Sequence, residues 1–181
     1  IVNFAADGPL PEATESRGNL SLASQNSEID LPRVFPEPRI RLASLSGEVG
    51  WERAAGGVTV RLARLAFANA DLAGTASGSY TRGGEGPGSI DLAALLNRAN
   101  GANLQRYLPL ASILGEKPRN WLAGAIQGGQ ASDTRLRLRG ALRDFPFRDP
   151  AKGEFQVVAQ VRDATLAFAQ GWPAVEDIDG E

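Results

Sequence analysis

Apolar residues recur at every second position through most of this chain. Leu20 and Leu22, Ile29 and Leu31, Ile40 and Leu42, Val58, Val60 and Leu62, Leu136 and Leu138, and Phe155, Val157, Ala159 and Val161 all follow this spacing. Period two with polar residues between marks strands that have one wet face. In three runs the alternation slips by one residue: Leu42 is followed by Leu45, Val49 and Trp51, Leu62 by Leu65 and Phe67, and Val161 by Ala164, Leu166 and Phe168. Such a step keeps the apolar side chains on one side only if the strand carries a bulge there, and a bulge bends the strand. The pattern therefore predicts a mainly β fold: a long, curved antiparallel sheet with bulges near residues 43, 63 and 163. Val60, Leu62, Leu136, Leu138, Val157 and Val161 are expected to share one concave face.

Glycine and proline punctuate these runs at Ala55-Gly56-Gly57, Arg82 to Gly88 and Pro150 to Gly153. Connections this short make strands pair with their sequence neighbours, so a single meander open at both edges is expected rather than a sandwich or closed barrel. Between 89 and 127 the period becomes helical. Leu92, Leu95, Leu96 and Ala99 fall at i, i+3, i+4 and i+7, and Leu104, Tyr107 and Leu108 repeat the spacing until Pro109. A further helix with Pro118 in its first turn should bury Trp121, Leu122, Ala125 and Ile126 and end near Gly128-Gly129. The expected organisation is thus β-meander over 1–88, a short helical insertion over 89–127 and further strands over 128–181. Ile1 to Phe4 reads as a strand fragment without an initiator Met, which is expected of a segment of a larger protein.

With 19 basic and 21 acidic residues the net charge of −2 offers no general attraction for nucleic acid or an anionic bilayer. No apolar run reaches the length of a membrane helix. Cysteine and histidine are both absent, which removes thiolate chemistry, Ser-His-Asp catalysis and the commonest transition-metal ligand. The acids are scattered over turns and strand edges rather than paired as a glycosidase needs. No catalytic residue, cofactor or metal is expected, and the acidic stretch Glu176 to Glu181 reads as a solvated strand end. Arg135, Arg137 and Arg139 alternate with leucines and read as a solvated strand face, with a surface for lipid phosphates as the alternative. Tyr107-Leu108-Pro109, Trp121, Phe145-Pro146-Phe147 and Trp172-Pro173 read as packing elements at sheet corners, with lining a ligand groove as the alternative.

From Leu104 to Glu181 these Leu-Pro, Trp-Leu, Phe-Pro-Phe and Gly-Trp-Pro elements stand in an order that resembles the YhdP/AsmA-like family of Gram-negative periplasmic proteins. Earlier residues are similar to it only through generic β-repeats. The resemblance implies a segment of an inner-membrane-anchored, periplasmic lipid-transport bridge that supports the outer-membrane barrier. Its partners would be phospholipid acyl chains in an open apolar groove, together with the remaining segments of the same chain at both sheet edges. Membrane contact would be made elsewhere in the full-length protein, and nucleic acid is not expected. The groove residues so implied are Ile40, Leu42, Val49, Val58, Val60, Leu62, Phe67, Leu136, Leu138, Phe155, Val157, Val161, Leu166 and Phe168. The competing expectation is a non-catalytic structural or interaction module whose apolar face is sealed by the helices.

Overall fold

The computed structural model describes residues 16–83, 86–111, 115–169 and 171–181; the expected strand fragment at Ile1 to Phe4 lies outside them. Eight strands follow one another: β1 (Ser16–Asp30), β2 (Arg39–Ala54), β3 (Gly57–Ala68), β4 (Leu72–Arg82), β5 (Ser89–Asn100), β6 (Ile126–Ala141), β7 (Gly153–Leu166) and β8 (Val175–Gly180). They form one antiparallel sheet in sequence order, with β1 and β8 at its edges and no closure into a barrel. This is the architecture that short turns between alternating runs dictate.

The three-residue steps recur across this sheet. Leu62/Leu65 and Val161/Ala164 coincide with register shifts between β3 and β4 and between β7 and β8. At Leu42/Leu45 the β1–β2 register runs unbroken, because β1 makes the same step from Ser24 to Ser27. Further steps occur at Leu96 to Ala99 in β5, Ala131 to Thr134 in β6 and Val175 to Ile178 in β8. Each step encloses two residues that leave the shared face; for example, Ala63 and Arg64 are both exposed. Asn26, Arg64, Asp133, Asp163 and Asp177, the second residue of five such pairs, have φ between 47° and 54°. Four of the five are Asn or Asp, whose short polar side chains tolerate the left-handed region.

The expected helix around Leu92 to Ala99 is instead strand β5. Its less exposed residues Ile90, Leu92, Ala94, Leu96 and Ala99 follow period two with one step, and ladders on both sides hold it extended. Pairing overrides the helix propensity of a Leu/Ala-rich stretch. Among the described residues the helical part of the insertion comprises a 3₁₀ helix over Gly101–Tyr107, capped by the Asn100 side chain, and an α-helix, α1 (Glu116–Ala125). Pro118 stands in the first turn of α1, where a missing N–H costs nothing. The helix ends earlier than expected, because Ile126 already opens β6 and Gly128 and Gly129 lie inside that strand.

Residues 101–111 and α1 therefore lie between β5 and β6 at the end of the sheet that carries the β1–β2 and β3–β4 connections. Tyr107 reaches the β3–β4 turn, and Leu110 N–H donates to the Val34 carbonyl in the β1–β2 loop at 2.8 Å. At the opposite end the β6–β7 connection turns back onto the sheet. The Phe147 ring occupies the space where a side chain at Gly140 or Gly153 would stand, within 2.7 Å of the position a Cβ would take at either. Phe145 packs edge-on against both Phe147 and Phe155, with ring centroids 5.7 and 5.2 Å apart.

Candidate functional site

Partners across an antiparallel ladder point to the same side, so the register itself assigns the faces. One continuous row runs Leu20, Val49, Leu62, Gly78, Leu92, Leu138, Phe155 from β1 to β7. Beside it run Trp51, Val60, Tyr80, Ile90, Gly140 and Leu65, Ala76, Ala94, Leu136, Val157. Past the bulges come Leu45, Phe67, Gly74, Leu96, Thr134 and then Leu72, Ala99, Ala131, Val161. The expectation that Val60, Leu62, Leu136, Leu138, Val157 and Val161 share a side is met. Val49, Val58, Phe67, Phe155 and Leu166 join the same face, and Ile40 and Leu42 extend it at the β1–β2 end. Phe168 lies past the end of β7, outside the ladder, and its ring meets Trp121 of α1 at 6.1 Å in a T-shaped contact.

No second layer covers these rows among the described residues. Among the described residues only Leu42, Leu108, Ala125 and Phe147 are buried apolar side chains, and no large side chain is fully buried. Trp51, Phe155 and Val157 are exposed on the apolar face, Val157 by 51%. Gly78 sits in the middle of the row between Leu62 and Leu92, and a Cβ there would lie 2.1 Å from the Asp91 carbonyl oxygen. β4 thus contributes Gly74, Ala76 and Gly78 to this face, leaving its centre low between the leucines of β3 and β5.

The other face is a ladder of charges. Arg41 pairs with Glu28 at 3.7 Å, Arg61 with Glu52 at 3.2 Å, and Arg137 lies between Asp91 and Glu154. Exposed pairs of this kind add little stability. What they decide is sidedness, since a face carrying them faces water.

A polar hub closes the strand ends where residues 101–111 cross. The Asp71 side chain, 10% exposed, accepts hydrogen bonds from Tyr107 Oη at 2.6 Å, Asn103 Nδ2 at 2.7 Å and Arg106 Nη1 at 3.1 Å. Arg106 also donates from Nε to Glu37 at 2.9 Å, and Asn69 Nδ2 donates to Tyr107 Oη at 3.0 Å. The Tyr107 hydrogen bond, with those of Asn103 and the charge of Arg106, holds the Asp71 carboxyl below the usual carboxylate range against the opposing effect of burial. Burial, and then the bond to Asp71, push the Tyr107 phenol up to about 12. Sequence reasoning picked out Tyr107 only as a packing residue and missed Asp71 and Arg106, which are far apart in the chain. The local signal was Asn69-Ala70-Asp71, where the Asn69 side chain accepts from the N–H groups of Asp71 and Leu72 at 2.9 and 2.8 Å and so fixes a tight turn.

The arrangement offers an uncovered apolar surface and no convergent set of reactive groups; among the described residues no cluster of acids is placed to hold a metal ion. The profile of the YhdP protein family matches residues 10–181, so the match begins well before the aromatic-rich second half. The intermembrane phospholipid transporter YhdP of Escherichia coli K12 is 33% identical over 92 residues, which is 51% of this chain and 7% of that protein. The chain therefore corresponds to a small part of that relative. No solved structure matches.

Proposed function

The chain belongs to the YhdP protein family, and on that premise we propose that its apolar face holds phospholipid acyl chains as one segment of a bridge carrying lipid between the inner and outer membranes across the periplasm. The observation that carries the reading is the continuous row structure from β1 to β7, without a covering layer among the described residues. Acyl chains gain about 0.8 kcal/mol per methylene removed from water on such a surface, without any directional contact. Headgroups remain in solvent at the rim, and no catalytic step is required. Both ends of the strands carry their own cover, residues 101–111 and α1 at one and Phe145 and Phe147 at the other, whereas β1 and β8 each have no second strand partner among the described residues. A lipid path accordingly crosses the strands and continues on neighbouring segments of the same protein, which also supplies the membrane anchor. A sealed structural module would need the helices over the rows, and they lie at the strand ends.

The test places a charge on the face in the full-length protein. Val157→Asp and Leu138→Asp are expected to reduce photo-crosslinking of lipid at neighbouring positions and survival under detergent stress, since an unpaired carboxylate is not solvated beneath an acyl chain. Gln156→Asp, on the charged face beside Arg137, is the control. Native crosslinking and survival in well-folded Val157→Asp and Leu138→Asp proteins would overturn the proposal.

A further inference from the structure

At the β1–β2 end the apolar face runs into an open recess of about 860 Å³, a volume typical of small-ligand sites. Its lining combines Ile40 and Leu42, which belong to the apolar face, with Ser24, Ser27, Glu37 and Arg106. Asp71 and Tyr107 of the hub complete the wall. Three features of this wall call for a ligand that is both anionic and cationic.

The Ser27 hydroxyl is buried and has no hydrogen-bond partner among the described residues, a costly state for a group that can both donate and accept. Arg106 spends Nε on Glu37 and Nη1 on Asp71, which leaves Nη2 without a protein partner among the described residues. Glu37 receives its bond on Oε2 only, so Oε1 remains an acceptor. Asp71, by contrast, is saturated by three donors and serves to fix Arg106 and Tyr107. Arg39 and Arg41 are engaged by Asp30 and Glu28 in pairs across the ladder. Arg39, Arg41 and Arg106 thus stand against Glu28, Glu37 and Asp71 in the recess lining, a balance that suits a zwitterionic ligand better than a purely anionic one.

We infer that this recess is a headgroup site for an amine-bearing phospholipid such as phosphatidylethanolamine. Its phosphate accepts from Arg106 Nη2 and the Ser27 hydroxyl, its ammonium donates to Glu37, and its acyl chains leave over Ile40 and Leu42 onto the rows. This rests on the acyl-chain reading of the face and adds headgroup selection at one place along it. A glycerol headgroup offers Glu37 Oε1 no ammonium beside its Arg106 partner and brings a net negative charge.

The experiment uses full-length protein in detergent with a photoreactive residue at Ile40 or, separately, at Val157. The probes are phosphatidylethanolamine and phosphatidylglycerol with identical acyl chains. At Ile40 the amine lipid is expected to crosslink about tenfold more than the glycerol lipid, the effect of one charge-assisted hydrogen bond. Glu37→Gln should bring the ratio towards one, and Ser27→Ala should lower crosslinking of both lipids at Ile40, while neither changes capture at Val157. Equal capture of the two lipids at Ile40, with capture at Val157 intact, would overturn the headgroup site and leave the acyl-chain face standing. Loss of the Ile40 signal in glycerophosphoethanolamine, with Val157 unaffected, would reassign the recess to a soluble phosphodiester and equally overturn it. Capture at neither position would overturn both readings.

Discussion

Replacing Tyr107 with Phe removes one oxygen from the hub that ties residues 101–111 to the sheet end. That oxygen donates to Asp71 at 2.6 Å and accepts from Asn69 at 3.0 Å. With the carboxylate only 10% exposed, the first bond is charge-assisted and poorly screened, in the class worth about 1.5–3 kcal/mol. The Asn69 amide also loses its acceptor, so the expected total is about 2–3 kcal/mol. For a urea slope of about 2 kcal/mol per M this moves the unfolding midpoint down by about 1 M, readable from tryptophan fluorescence. A cycle with Asp71→Asn should give a coupling of about 2 kcal/mol between the two side chains. The pH profile separates this account from simple loss of packing. Asp71 titrates lower in the folded chain than in the unfolded one, so its contribution is complete above about pH 4 and is lost as pH falls through the depressed folded value. The Tyr107 phenol is raised to about 12, so its contribution is complete below about pH 10 and is lost as pH rises from there towards 12. Tyr107→Phe should abolish the alkaline loss. A coupling below about 0.5 kcal/mol, or an unchanged alkaline profile in the variant, would refute the reasoning.

Two further outcomes follow from local geometry. Thr134 has a buried hydroxyl without a partner among the described residues, so the nearly isosteric Thr134→Val should raise stability by about 1 kcal/mol in urea titration. Arg64 is exposed with φ at 50°, so Arg64→Gly should stabilise by about 1 kcal/mol, whereas Arg64→Val, β-branched in the same conformation, should destabilise by at least as much.

The sheet and its sidedness were legible because alternation and its three-residue steps are local properties of the chain. Leu62-Ala63-Arg64-Leu65 and Val161-Arg162-Asp163-Ala164 announce both the bulge and the face. The same grammar was present in Leu96-Asn97-Arg98-Ala99, and it was misread because Leu92, Leu95, Leu96 and Ala99 fit a helical stripe equally well. Only Leu95, 45% exposed on the opposite face, separates the two readings, and that depends on pairing with β4 and β6. Phe168 was assigned by extending the period past Leu166, where the strand ends, and its contact with Trp121 of α1 was not legible in that period. The hub and the recess were not legible, since Glu37, Asp71 and Arg106 meet only after residues 101–111 cross the sheet end.

The most direct measurement of the central claim is a residue-by-residue photo-crosslinking scan with phospholipid along β7 and β3 of the full-length protein in cells. The account expects lipid capture at Phe155, Val157, Val161, Ala164 and Leu166 but not at Glu154, Gln156, Gln160, Arg162 or Asp163. In β3 it expects capture at Val60, Leu62, Leu65 and Phe67 but not at Arg61, Ala63 or Arg64. Capture should thus follow period two and skip by three at each bulge. Lipid crosslinks without that parity, or confined to the charged face, would contradict it.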